Sequence, residues 1–333
     1  MIGTRLSLAL AGGGLSVPGA GRIAVFGAPP EADLSMLPVE RVTVVQGFKP
    51  ALDTWIAAGF DCVPIAEGRF AAAIVCLPRA KAEARALVAQ AVDMTDGLIV
   101  IDGQKTDGVD SILRDMRKRT ATHGPVVKAH GKMFWCDDLD TDAFAEWRAG
   151  PELTQGGFWT APGVFSADKV DAASALLVDA LPDKLGTQVA DLGAGWGFLS
   201  AHILTRPDIV QAHLVEAGYM SVECARRNVT DARAVFHWDD ATTWKAPCKL
   251  DSVIMNPPFH TTRAADPTLG QAFVAAAARI LAPQGQLWMV ANRHLPYETT
   301  LKAHFTNVFE IGGDARFKLF HAMRPKIAAR NKR

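Results

Sequence analysis

The chain carries no surplus of charge: 35 Lys and Arg balance 35 Asp and Glu over 333 residues. That excludes a nucleic-acid coat built on overall basicity, although an enzyme that grips structured RNA needs only a local basic surface. Cysteine is scarce and unpatterned. Cys62, Cys76, Cys136, Cys224 and Cys248 are odd in number and never in Cys-x-x-Cys spacing, which argues against a disulfide framework and for reduced thiols in a cytoplasmic protein. The nine histidines show no metal-ligand spacing, so no metal is expected. No apolar run approaches the roughly 20 residues of a membrane span, so no membrane partner is expected. Arg5 followed by Leu6 to Leu10 and then Pro18-Gly19-Ala20 faintly imitates a secretory leader, but Gly12, Gly13 and Gly14 interrupt the apolar region and only one positive charge precedes it, so a leader is not expected.

What is present is ordinary for a soluble α/β protein, with 49% hydrophobic and 21% charged residues. The length exceeds a typical domain of about 100–200 residues, so two domains are expected.

The stretch Val189-Ala190-Asp191-Leu192-Gly193-Ala194-Gly195-Trp196-Gly197 carries the first chemical signal. Gln188 to Leu192 reads as a buried parallel strand, and Phe198 to Leu204 resumes with helical spacing. A glycine-rich turn between them predicts a nucleotide-like cofactor lying across the carboxyl end of a parallel sheet. The dinucleotide fingerprint requires glycine where this chain has Phe198, which disfavours a nicotinamide dehydrogenase. An acid opening the turn, Asp191, repels a pyrophosphate but can accept a hydrogen bond from an ammonium group, as S-adenosylmethionine (SAM) offers.

The second signal lies 61 residues beyond Gly195, where a strand ends in Asn256-Pro257-Pro258-Phe259. Two prolines remove two backbone donors and leave carbonyls free to accept. The Asn256 side-chain oxygen and the Pro257 carbonyl can together accept both N–H bonds of an exocyclic amine, while Phe259 stacks on the base, which is worth about 1–3 kcal/mol.

Asp191 to Gly197 and Asn256 to Phe259 resemble class I SAM-dependent methyltransferases that act on a planar nitrogen. Pro162 to Ser166, Val290 to Tyr297 and Arg316 to Phe320 resemble in particular the RsmC-type small-subunit ribosomal RNA guanine-N2 methyltransferases. The resemblance implies two tandem Rossmann-like domains, each a doubly wound, mostly parallel sheet with an antiparallel edge hairpin, the N-terminal one degenerate. It implies SAM held by Phe165, Asp191, Gly193, Ala194, Gly195, Glu216, Ala217 and Asn256, with Asp239 or Asp240 receiving the adenine amine. Asn256, Pro257, Pro258 and Phe259 form the catalytic loop. The expected partner is ribosomal RNA or the small ribosomal subunit, and the working oligomeric state is a monomer.

The domain plan is residues 1–150 as the degenerate copy, 151–160 as a linker, and 161–333 as the catalytic domain with a basic tail. In the copy, Phe26-Gly27-Ala28-Pro29-Pro30 replaces the glycine turn, Gln46 replaces Glu216, and Leu77 falls opposite Asn256. It should hold no SAM and could position RNA through Arg114, Arg117, Lys118 and Arg119. In the second half Ser166 is read as the N-cap of the first helix. Three competitors stay open: adenine N6, a protein glutamine amide, and a non-catalytic ribosome-assembly binder.

Overall fold

The computed structural model describes residues 2–12, 14–258 and 267–326. The chain divides into two units, residues 1–151 with 161–163, and residues 152–160 with 164–333. The expected linker is therefore structured: β8 (Glu152–Leu153) and β9 (Trp159–Thr160) pair as a small hairpin within the second unit.

In the first unit the strands are β1 (Ile23–Phe26), β2 (Val42–Val45), β3 (Asp61–Val63), β4 (Phe70–Cys76), β5 (Thr95–Gln104), β6 (His123–Lys128) and β7 (Gly131–Cys136). They form one sheet in the order β3-β2-β1-β4-β5-β7-β6, parallel except for β7, which runs antiparallel to both its neighbours. Continuous apolar runs such as Ala72–Val75 make these strands, because both sheet faces are covered. The leader-like segment is α1 (Ile2–Gly12), which buries Ile2, Leu6 and Ala9. Its Arg5 is buried as well, and its guanidinium donates to both oxygens of Asp102 at 2.6 and 2.7 Å.

The second unit repeats the plan with β10 (Gln188–Leu192), β11 (Gln211–Glu216), β12 (Ala234–Trp238), β13 (Leu250–Met255), β14 (Leu281–Asn292), β15 (Phe305–Gly313) and β16 (Phe317–Pro325). The order β12-β11-β10-β13-β14-β16-β15 matches the first sheet position for position, including the expected antiparallel edge pair β15–β16. After α2 (Lys49–Ala57), α3 (Lys81–Met94) and α4 (Val109–Met116) of the first unit, helices α5 (Ala172–Ala180), α6 (Phe198–Ile203), α7 (Tyr219–Asn228), α8 (Pro267–Ile280) and α9 (Tyr297–His304) belong to this unit, and apolar clusters fill both of its sheet faces. The N-cap of α5 is Asp171 and not the expected Ser166, because the Asp171 carboxylate accepts from Ser174 N at 2.8 Å. Ser166 instead sits at φ +53°, with its hydroxyl on the Lys169 carbonyl.

Candidate functional site

β10 lies between β11 and β13, so the chain reverses its direction across the sheet at β10. Crevices for ligands open at the carboxyl ends of strands at such a point. Asp191 is level with Ile254, so the turn after β10 and the loop after β13 leave adjacent parallel strands at the same edge. Gly193, Ala194 and Gly195 line one cleft together with Asn256. The two loops singled out in the sequence thus meet.

The turn is held from below. The Val215 carbonyl accepts from Gly193 N at 2.9 Å and from Ala194 N at 3.1 Å. Gly195 (φ +55°) and Gly197 (φ +91°) occupy the left-handed region that favours glycine. A Cβ on Gly197 would stand 2.9 Å from a Val229 methyl, whereas one on Gly195 would meet nothing within 4 Å. Gly197 is therefore fixed by packing, and Gly195 leaves open space for a ligand to approach the main chain.

Glu216, at the end of β11, accepts from Gly195 N at 2.9 Å and from Gly218 N at 2.7 Å. Burial pushes its carboxyl above the ordinary range, against those backbone donors. Ala217 offers its carbonyl to the Trp238 indole at 2.9 Å, tying the ends of β11 and β12. Asp239 follows β12, with its N–H on the Glu216 carbonyl and one side-chain oxygen on Asp240 N. The Asp240 carboxylate accepts from both N–H and O–H of Thr242 at 2.8 and 2.7 Å, so it caps the turn that follows.

Asp191 is 2% exposed beneath the turn. One oxygen accepts from the Ser200 hydroxyl at 2.7 Å, and the other has no partner among the described residues. Burial, aided by the nearby Glu216 carboxylate, pushes its pKa up to about 7. A buried carboxylate with an orphaned oxygen suits a cationic group.

Asn256 directly follows β13, half-buried, with Pro257 buried and Pro258 exposed. Phe259 lies outside the described residues. The Asn256 amide nitrogen donates to Asp171 Oδ2 at 2.9 Å and to Ser174 Oγ at 2.8 Å. Phe165 is 60% exposed and lines the cleft, and its carbonyl takes the Trp196 indole N–H at 3.0 Å. The sequence reading missed Asp171 and Ser174, which also line the cleft. The available signal was an acid three residues before a serine at the head of an apolar run, a capping pattern.

Two basic features are partly committed elsewhere. Lys318 of the tail is buried on Glu298, and Arg119 pairs with Glu146 while lying over the Trp147 ring. Residues 327–333, with the last three basic side chains, lie outside the described residues. Among the described residues no group of three or more His, Cys, Asp or Glu is placed to hold a metal, and no helix is long and apolar enough to cross a membrane.

The first unit shows what the same framework does without these residues. Phe26 is level with Val45 and Val75, as Leu192 is with Val215 and, one step beyond the Asp191–Ile254 pair, with Met255. This register puts Pro29 at the place of Gly195, Gln46 at that of Glu216 and Cys76 at that of Asn256. The expected partner of Asn256 was Leu77, one residue on; strand pairing sets the correspondence, and the amide is lost either way. Pro29 has no N–H to donate. Gln46 accordingly reverses the polarity of the contact, donating to the Ala28 carbonyl at 2.9 Å, and the Trp55 indole donates to the same oxygen at 3.0 Å.

Residues 155–321 match the family model "Methyltransferase small domain". The chain belongs to that family. This methyltransferase is 31% identical to the ribosomal RNA small subunit methyltransferase C of Hahella chejuensis, over 67% of its own length and 68% of the relative's. It is 26% identical to the same-named protein of Alteromonas mediterranea, over 75% and 72% of the two chains. Among solved structures it is similar to the T. thermophilus 16S rRNA N2 G1207 methyltransferase (RsmC) in complex with AdoMet and guanosine. That likeness has a TM-score of 0.77 at 25% identity and covers 93% of this chain and 90% of the other.

Proposed function

We propose that this enzyme transfers a methyl group from SAM to the exocyclic N2 amine of a guanine in small-subunit ribosomal RNA, in the cytoplasm. The observation that carries the reading is the meeting of the Gly193–Gly195 turn and Asn256 in one cleft at the carboxyl edge of adjacent strands. The RsmC structure with AdoMet and guanosine, similar over nearly the whole chain, supports guanine as the acceptor.

The donor set fits SAM: an orphaned buried Asp191 oxygen for its ammonium, and Glu216 for the ribose hydroxyls. Asp239 and Asp240 each spend one carboxylate oxygen on the turn that follows and keep the other, so either can receive the adenine amine. Gly193, Ala194, Gly195, Ala217 and Phe165 complete the cofactor side. When bound, SAM supplies a methyl on a sulfonium, which is already a good leaving group. The protein's task is then geometric. Asn256 Oδ1 and the Pro257 carbonyl accept the two N–H bonds of the amine, and Phe259 stacks on a base turned out of its helix. Holding the reactants in line can lower a barrier by about 7–11 kcal/mol without a strong base, and the surplus proton of the methylated amine leaves late, to water or a nearby group. The first unit, with proline and glutamine closing its turn, binds no SAM in this reading and serves to position RNA.

The test is labelled SAM with small ribosomal subunits, large ribosomal subunits and the extracted RNAs, from cells lacking the gene. Wild type should label guanine N2 in small-subunit RNA, and N256A should lose on the order of 10² in kcat. Label in large-subunit RNA, in adenine or in protein would replace the assigned substrate, and full activity of N256A would remove the site.

A further inference from the structure

An asparagine amide presents an acceptor and a donor on nearly the same outline, and only its neighbours decide which faces a ligand. In this cleft the neighbours are explicit. Asp171 Oδ2 lies 2.9 Å and Ser174 Oγ 2.8 Å from the Asn256 nitrogen. A carboxylate can only accept, so the NH₂ group is the half turned toward Asp171, and both of its hydrogens have partners. Oδ1 is left as the polar end available to a substrate. Asp171 is held in place in turn, because the same Oδ2 caps α5 through Ser174 N at 2.8 Å. All three residues line the cleft.

We propose that Asp171 and Ser174 are positioning residues that lock the Asn256 amide with its oxygen toward the target amine, making the site read an N–H donor. This rests on the function proposed above. The Pro257 carbonyl can only accept, so the end of the Asn256 amide that faces the substrate is the one polarity left to be set here. Without the lock, the amide turns its NH₂ toward an incoming NH₂, and donor meets donor.

The variant D171S/S174A isolates this effect. Ser is as good an N-cap as Asp, so α5 keeps its cap and the fold its stability. The shorter side chain at 171 and the missing hydroxyl at 174 take both acceptors from the Asn256 NH₂, so the amide turns and its donor end can face the target amine. Steady-state methylation of ribosomal RNA should show kcat reduced by about tenfold, with KM for SAM within about threefold and an unchanged melting temperature. Adding N256D should then restore activity at least about threefold, because a carboxylate presents an oxygen whichever way it turns. In the wild-type background N256D should instead lower activity, because it sets a carboxylate against Asp171. S174A, which removes one of the two anchors, should fall between wild type and D171S/S174A. A D171S/S174A enzyme within about twofold of wild type, while N256A is inactive, overturns the lock and leaves the proposed function standing. So does a D171S/S174A/N256D enzyme no more active than D171S/S174A. An active N256A overturns the proposed function itself.

Discussion

Replacing Asp191 by Asn should stabilise this enzyme above neutral pH while weakening its hold on SAM. Asp191 titrates at about 7 in the folded protein, against 3.8 for the free side chain, chiefly because it is buried. A carboxyl whose folded pKa is raised contributes stability that is fully present below pH 3.8 and is lost as pH rises to about 7. Above that, the ionised group costs on the order of 4 kcal/mol, at 1.36 kcal/mol for each tenfold. Asn keeps the shape and removes the charge, and the loss of the charge-assisted bond from the Ser200 hydroxyl is already contained in that figure, because the bond lowers the folded pKa. The net gain should be about 4 kcal/mol near pH 8 and close to zero near pH 4. SAM binding should move the other way. Losing the charged partner of an ammonium costs about 1.5–3 kcal/mol, roughly a 10- to 100-fold weaker Kd. Urea unfolding at several pH values and calorimetric titration of SAM measure the two effects. A D191N protein no more stable than wild type at pH 8, or a difference that is flat with pH, refutes the burial argument. Unchanged SAM affinity refutes the role assigned to the carboxylate.

Three further predictions concern stability. G197A places a Cβ 2.9 Å from Val229 at φ +91° and should cost about 1–3 kcal/mol, read as a lower urea midpoint together with weaker SAM binding. R5M leaves Asp102 buried without its cation and should cost about 3–5 kcal/mol; R5M/D102L should recover much of the loss in the same assay. Q46E turns a carboxylate toward the Ala28 carbonyl in place of a donor and should cost about 1–3 kcal/mol at neutral pH, shrinking as the solution is acidified toward the glutamate pKa.

What could be read in the sequence was what lies close together along it. The glycine turn, the Asn-Pro-Pro loop and the acid closing β11 each sit at the end of an apolar run, so strand, edge and chemistry are visible within ten residues. The partners of those groups were not visible. Asp171 meets Asn256 across 85 positions and Arg5 meets Asp102 across 97; no local pattern announces either pair, and in the sequence Arg5 reads as part of a leader-like stretch. The adjacent acids Asp239 and Asp240 stay alike in the structure as well, because each spends one oxygen on a backbone N–H that follows it. The sequence places the copy one residue out at Cys76 for a related reason. Ala71 to Cys76 is apolar throughout, and pairing with Phe26 fixes its level.

The two sheets share one strand order, so their differences isolate what the cofactor site requires. An acid after the second strand is useful only if the turn beside it offers N–H groups, and Pro29 removes the one that Gly195 provides. Once that donor is gone, a carboxylate at position 46 would keep the Phe48 N–H but set its other oxygen against the Ala28 carbonyl, and an amide is the side chain that converts that contact back into a hydrogen bond. The proline and the glutamine are therefore one change and not two. If the first unit binds no SAM, as proposed, an amide after the fourth strand has no methyl donor to serve, and a buried thiol at Cys76 is compatible with that. In the proposed function, catalysis depends on a chain of polar contacts that runs from Gly195 through Glu216 and, on the other side of the cleft, from Ser174 through Asp171 to Asn256. Breaking either chain leaves a stable sheet, which is what the first unit is.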